Sequence, residues 1–324
     1  MKELPRVKFA HLPTPVEQMG RLAEMLGGPQ LWVKRDDLTG LAFGGNKTRK
    51  LEFLLADARI KGSRTLITAG ALQSNHCRQT AAAAAREGFD CILVLTTPQP
   101  PQTLSGNILL DQLFGAEFVW TTREQRDWTL EQVVAESSKA GRLPYLIPYG
   151  GSNPIGAAAY VFALEELLAQ GFNPNWIVFA TSSGGTQAGL VLGARLWGYE
   201  GGILGISVDE SAEELRMQVS ALANQTATFL GEKLSFSPEE IIVNADYLGE
   251  GYGVMGSVEI EAIRLFAREE GLLLDPVYTG RAAAGLIDLI RQGYFDQEAS
   301  VLFWHTGGTP ALFATAYQEL GIQV

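Results

Sequence analysis

The chain has 324 residues, 46% hydrophobic and 19% charged, which excludes intrinsic disorder and permits a core burying roughly three quarters of the unfolded surface. With 36 acidic against 25 basic residues the net charge is −11, which argues against a nucleic-acid partner and against docking on an anionic membrane. Two cysteines, Cys77 and Cys91, are too few for a disulfide framework and wrongly spaced for a zinc site. Three histidines, His11, His76 and His305, leave no room for a His-rich metal centre. No apolar run approaches roughly 18 residues, and the opening MKELPRVKFAHLPTP has no long apolar core, so a reduced, soluble, cytoplasmic protein is expected.

Short β-type runs alternate with helical stretches from end to end. LWVK near 31, TLITA at 65–69, CILVLTT at 91–97, AEFVWT at 116–121 and PYLIP at 144–148 read as strands. WIVFAT at 176–181, ILGISV at 203–208, IIVNA at 241–245 and SVLFWHT at 300–306 continue the series. Several are continuous apolar runs, as parallel strands covered on both faces require. Between them lie amphipathic segments over Thr48–Lys61, Glu124–Ala140, Ala157–Gln170 and Ser257–Glu270, and an alanine run at 81–85 fits a helix packed closely on a sheet. The alternation predicts a doubly wound α/β architecture, in two domains or one large unit. Ligands of such sheets bind beyond the carboxyl ends of the strands, and four segments there carry candidate chemistry.

Gly44-Gly45-Asn46-Lys47-Thr48-Arg49-Lys50 comes first. Of eight lysines, only Lys47 stands at the mouth of a Gly-Gly turn entering a helix. Desolvation and nearby cations make a lysine nucleophilic, and Arg49 and Lys50 are candidates to supply that charge. A solvated basic first turn is the plainer reading, but cations at a helix N-terminus oppose its dipole. Next, Gln73-Ser74-Asn75-His76 follows a strand and opens a helix, so its N–H groups could hold a carboxylate. Ser74 or Asn75 could equally serve as an N-cap, and the two roles are compatible. Ser182-Ser183-Gly184-Gly185-Thr186 follows WIVFAT and precedes a helical run. Its free N–H groups and hydroxyls suit a phosphate, although it matches neither a Walker A loop nor a dinucleotide fingerprint. Finally, Asp275-Pro276-Val277-Tyr278-Thr279-Gly280 and His305-Thr306-Gly307-Gly308 follow late apolar runs. Alone, Tyr278 reads equally as a buried aromatic and His305 as a structural residue.

Together, GGNKTRKLE, QSNHCRQTAAAAA, SSGGTQAGL and DPVYTGR resemble the pyridoxal-phosphate enzymes of the tryptophan-synthase-β fold type. Within these the chain is similar to the branch of D-cysteine desulfhydrase and 1-aminocyclopropane-1-carboxylate (ACC) deaminase, over nearly its whole length. The resemblance implies two open, mostly parallel twisted sheets with helices on both faces (fold type II). It implies a large cofactor-binding domain of residues 1–49 and 161–324, a small domain of 50–160, and a homodimer. It implies that Lys47 forms the Schiff base with pyridoxal 5′-phosphate and that Asn75 bonds the cofactor's phenolic oxygen. Ser182, Ser183, Gly184, Gly185 and Thr186 would surround the phosphate. Ser74, Asn75 and His76 would take the substrate carboxylate, Tyr252 and Tyr278 would face the substrate, and Lys47, Ser74 and Tyr278 would share the acid–base work.

One departure bears on the reaction. ACC deaminases carry Glu after the tyrosine of DPVY, by the pyridine nitrogen; this chain has Thr279, with Thr306 as a second hydroxyl near that nitrogen. A hydroxyl stabilises a pyridinium less than a carboxylate does, which favours simple elimination of a good leaving group. Arg281 stands where lysine is common. The expected reaction is conversion of D-cysteine to pyruvate, hydrogen sulfide and ammonia. The alternatives are ACC deamination, lysis of a related amino acid such as cysteate, or cofactor or anion binding without catalysis.

Overall fold

All nine expected strands form, and their burial explains why. In this computed structural model, which describes residues 2–318, the first half of the chain contains β1 (Val16–Gln18), α1 (Gly20–Leu26), β2 (Gln30–Arg35), α2 (Asn46–Ile60) and β3 (Thr65–Ala71). Then come α3 (Asn75–Glu87), β4 (Asp90–Thr96), α4 (Asn107–Leu113), β5 (Glu117–Thr121), α5 (Arg126–Lys139) and β6 (Pro144–Leu146). The second half contains α6 (Pro154–Ala169), β7 (Trp176–Thr181), α7 (Gly185–Trp197), β8 (Gly202–Ser207) and α8 (Ala212–Leu230). It ends with β9 (Ile242–Asn244), α9 (Ser257–Glu270), α10 (Thr279–Arg291), β10 (Ser300–His305) and α11 (Thr315–Gln318).

The strands form two sheets. One has six strands in the order β1-β2-β10-β7-β8-β9; the other has four in the order β5-β4-β3-β6. Every pairing is parallel except that of β1 with β2. The fold is thus α/β with two mostly parallel sheets and helices on both faces. The inner strands β7, β8 and β10 each bury their last five residues, so their apolar runs face helices on both sides. β1 is the addition to the expected set: at three residues on a sheet edge it is too short to show a period. Residues 50 and 160, the domain limits implied by the resemblance, fall inside α2 and α6, which pack against each other.

Helix ends follow local chemistry. Asn153 caps α6 by accepting the Gly156 N–H at 2.9 Å, with Pro154 in the first turn. Ser211 and Glu214 form a capping box at the start of α8. Among the described residues no helix is long and apolar enough to cross a membrane. The topology brings the carboxyl ends of β3, β7 and β10 toward one cleft, and the loops after them carry three of the four candidate segments.

Candidate active site

Lys47 reaches this cleft because two glycines precede α2. Gly45 has φ +130°, closed to ordinary side chains, and a Cβ there would lie 3.0 Å from Thr306 O. The turn therefore brings the chain against the β10 loop, where Asn46 N donates to Thr306 O at 3.0 Å. Lys47 Nζ donates to Asn46 Oδ1 at 3.3 Å, and Asn46 Nδ2 donates to Thr186 Oγ1 at 3.1 Å. Burial lowers the Lys47 amine to about 8, with Asp275 opposing and Arg78 adding to the shift.

The basic first turn is not a solvated face: Thr48, Arg49 and Lys50 are all buried. Of the two cations expected beside Lys47, Arg49 turns away. It bonds Asp36 and Glu166 on the far side of α2. Arg78, from α3, takes its place as a charge acting on Lys47. Lys50 stays near, donating to Gly150 O at 3.2 Å and Ser152 Oγ at 3.4 Å. Burial, then Lys47, push the Lys50 amine well below its ordinary value.

The β7–α7 turn completes an anion cradle. Gly184 precedes α7 with φ +73° and has no side chain to cap the helix, though Ser152 Oγ accepts the Gly185 N–H at 3.2 Å. The N–H groups of Thr186 and Gln187 in the first turn therefore have no acceptor within the helix. A Cβ on Gly185 would lie 2.9 Å from Lys50 Nζ, so only glycine leaves this space open. Ser183 Oγ lies 2.8 Å from Ser152 Oγ, while Ser182 Oγ turns to Asp209 Oδ2 at 2.9 Å. Open N–H groups, hydroxyls, a lysine amine that a phosphate would keep protonated and a helix dipole fit a phosphate dianion.

On the other wall Ser74 caps α3, accepting the Cys77 N–H at 3.1 Å, and keeps its own proton to donate. The Asn75 carbonyl oxygen accepts from Arg78 Nη1 and from Asn107 Nδ2, each at 3.0 Å. His76 is buried, its pKa held well below the ordinary value by burial, Lys47 and Lys50, so the ring is neutral at pH 7. Thr68 donates to Ile147 O at 2.8 Å and therefore accepts from His76 Nε2 at 3.0 Å.

Tyr278, just before α10, also lines the cleft, and its hydroxyl lies 2.6 Å from that of Tyr252. Tyr252 lines an adjoining pocket rather than the cleft itself; Tyr149, Ser182 and Ser183 line both. Burial raises both hydroxyls well above the ordinary tyrosine value, so both are neutral. Thr279 does not line the cleft. It is fully buried, donates to Asp275 Oδ1 at 2.8 Å and accepts from Asp275 N at 2.7 Å. Thr306 does line it, and its hydroxyl makes no hydrogen bond among the described residues. His305 is structural: Nε2 donates to Leu273 O and Nδ1 accepts from Gly307 N, both at 3.2 Å.

The cleft thus brings together Lys47, Ser74, Asn75, His76, Ser182, Ser183, Gly184, Gly185, Thr186, Tyr278 and Thr306. Asn46, Tyr149 and Gly150 join them without having been assigned a role from the sequence, and Lys50, read there as a charge beside Lys47, also stands behind Gly185. Only Lys50 left a signal, as a cation one helical turn beyond Lys47.

Comparison with known proteins agrees with this chemistry. A family model described as "Pyridoxal-phosphate dependent enzyme" matches residues 7–307. A solved structure described as an ACC deaminase homologue is 39% identical, with a TM-score of 0.87, covering 96% of this chain and 94% of that one. An O-ureido-L-serine synthase (16% identical, TM-score 0.68, 96% and 94% covered) shares the fold. So does a pyridoxal 5′-phosphate-dependent aspartate racemase (20% identical, TM-score 0.64, 91% and 90% covered). A lysine in a desolvated cleft facing a phosphate cradle, on a chain matched almost throughout, has one consistent assignment: the protein belongs to the pyridoxal-phosphate dependent enzyme family.

Proposed function

We propose that this enzyme is a lyase that eliminates hydrosulfide from D-cysteine, giving pyruvate, hydrogen sulfide and ammonia with uptake of one water. The observation that carries the reading is chemical: no carboxylate is present among the residues lining the cleft. The buried carboxylate acting on Lys47 is Asp275, whose two oxygens accept the N–H groups of Val277, Tyr278 and Thr279 and the Thr279 hydroxyl. A pyridine nitrogen held in this cleft would have a hydroxyl such as that of Thr306 for a partner rather than a carboxylate. That suits a substrate whose leaving group departs readily and disfavours opening of a strained carbon ring.

Bound pyridoxal phosphate supplies the electron sink for charge released at the substrate Cα. The chain supplies the rest. The Ser183–Thr186 turn and Lys50 would hold the phosphate, and Asn75 would donate to the phenolic oxygen. The Ser74 hydroxyl and the N–H groups opening α3 orient the substrate carboxylate. The Lys47 amine, largely neutral above about pH 8, takes the proton from Cα. The neutral Tyr278 hydroxyl would hand a proton to the departing sulfur, with Tyr252 behind it as its hydrogen-bond partner. The reading includes a cytoplasmic homodimer acting on a small amino acid. A second reading, ACC deamination, draws on the 39% identical ACC deaminase homologue.

Purified protein loaded with pyridoxal phosphate should show a visible band that borohydride bleaches, with the pyridoxyl adduct on Lys47. It should release sulfide and pyruvate from D-cysteine faster than it releases 2-oxobutanoate from ACC. Faster turnover of ACC favours the second reading. A bound cofactor with no turnover of D-cysteine, L-cysteine, ACC or cysteate would leave a binding protein without catalysis.

A further inference from the structure

Asn75 is an amide, and an amide can present either its oxygen or its NH2 group to the cleft; only the second can donate to a cofactor oxygen. The contacts behind it decide which. Arg78 is fully buried, and its Nη1 lies 3.0 Å from the Asn75 amide atom that faces away from the cleft and 2.8 Å from an amide atom of Asn107. A guanidinium only donates, so both of those atoms must be oxygens. The other end of the Asn107 amide lies 2.8 Å from Gln73 O, which only accepts, and 3.0 Å from the same Asn75 oxygen. It must therefore be the NH2 group, and the Asn75 oxygen receives two donors. Arg78 is fixed in turn by Nη2 donating to Gly44 O at 2.8 Å, on the glycine turn before Lys47. Gln73 Oε1 completes the set by accepting the Asn107 backbone N–H at 2.8 Å.

We infer that Arg78 is a positioning residue: donating to the Asn75 oxygen directly, beside Asn107, it holds the polarity of the Asn75 amide, so that Asn75 Nδ2 points into the cleft as a donor. The inference rests on the cofactor reading above and deepens it. Without the guanidinium the Asn75 oxygen keeps one donor of two, the Asn107 NH2 group that Gln73 O still holds, so the Asn75 amide is anchored less firmly and its own NH2 group is aimed less firmly at the phenolic oxygen. Burial lowers Arg78 to about 10, so it remains a cation at neutral pH. The two segments it joins, the turn before Lys47 and the start of α3, hold the two groups that flank the phenolic oxygen.

The test uses holoprotein and reads the pH titration of the visible band and the affinity for pyridoxal phosphate. Arg78→Met should move the titration midpoint and weaken cofactor binding about tenfold, the effect of one lost charge-assisted contact. Arg78→Lys, also purely a donor, should recover most of both. Asn75→Ala should reproduce the change, and adding Arg78→Met to it should cost less than about twofold more, because the two act as one unit. An unchanged band in Arg78→Met, or a full second loss in the double variant, overturns the inference. Should Arg78→Met fail to fold, Asn107→Leu removes one of the two donors to Asn75: a smaller shift in the same direction is expected, and an unchanged band overturns the inference. Absence of a borohydride adduct on Lys47 in the wild type would sink the cofactor reading instead, a result separable from the others.

Discussion

Asp275 organises the start of α10 much as an N-cap residue organises a helix: its carboxylate accepts three backbone N–H groups and the Thr279 hydroxyl. Thr279 is thereby committed on both sides, donating to and accepting from the same residue. It cannot turn to a ligand without stranding a buried N–H and a carboxylate oxygen. Thr306 has no such commitment and lines the cleft. Substitutions should separate the two hydroxyls. Thr306→Val should change the visible spectrum of the holoprotein and slow sulfide release about tenfold, as expected for one lost hydrogen bond that matters in the rate-determining step. Thr279→Val should leave the spectrum nearly unchanged and lower stability by about 1–3 kcal/mol in a denaturant titration. Thr279→Glu would set a second carboxylate against Asp275 in a buried site, so failure to fold is its expected outcome rather than a switch in reaction. A spectrum that responds to Thr279→Val and not to Thr306→Val would reverse the assignment.

At the scale of elements, the β7–α7 turn invites the simplest change in the cleft. Gly185 is helical, so Gly185→Ala needs no unusual φ, but the added methyl would lie 2.4 Å from Ser152 Oγ and 2.9 Å from Lys50 Nζ and must push both side chains out of the cradle. Cofactor affinity should fall about tenfold or more while the protein still unfolds cooperatively at a somewhat lower midpoint, measured by fluorescence titration and thermal scan. Retained affinity would show that the phosphate lies elsewhere. Such turns were legible in the sequence because a parallel strand announces itself as an apolar run and the ligand-bearing loop must follow it. The same logic located Lys47, Ser74 and Tyr278. What escaped depended on packing between distant segments: Lys50 meets Gly150 and Ser152 a hundred positions away, a meeting that no local pattern encodes. Arg49 misled for the same reason, since its partners Asp36 and Glu166 lie 13 and 117 positions off. α8 was legible but unread, as the Ser211–Glu214 box marks its start.

At the scale of the whole molecule, the face of α2 turned away from the cleft is tied to β2 of the large sheet, and to the turn after it, by buried ions. Arg49 donates to both oxygens of Asp36, at 3.0 and 2.8 Å, and to both of Glu166, at 2.9 and 2.8 Å. Lys34 on β2 donates to Glu166 at 2.7 Å and to Thr14 O at 2.8 Å, and Tyr160 on α6 donates to Asp36 at 2.6 Å. The turn after β2, α6 and the segment around Thr14 thus meet at one guanidinium, and the helix they hold is the one that carries Lys47. Burial alone would raise the Asp36 carboxyl, but Arg49, Lys34 and the Tyr160 hydroxyl outweigh it and hold the pKa below the ordinary value. A depressed carboxylate stabilises the fold fully above its unfolded pKa, near about 4, and loses that contribution as pH falls through the lower folded value. Arg49→Met removes the main opposing charge and leaves Asp36 buried, so burial then drives its pKa upward and the sign reverses: the folded variant gains stability as the group takes up a proton. The variant should therefore be about 3–5 kcal/mol less stable than wild type near neutral pH, with the gap narrowing as pH falls toward about 4. Denaturant titrations of both proteins at a series of pH values would measure it; a gap that widens toward acid, or none at neutral pH, would mean that these ions do not hold α2 in place.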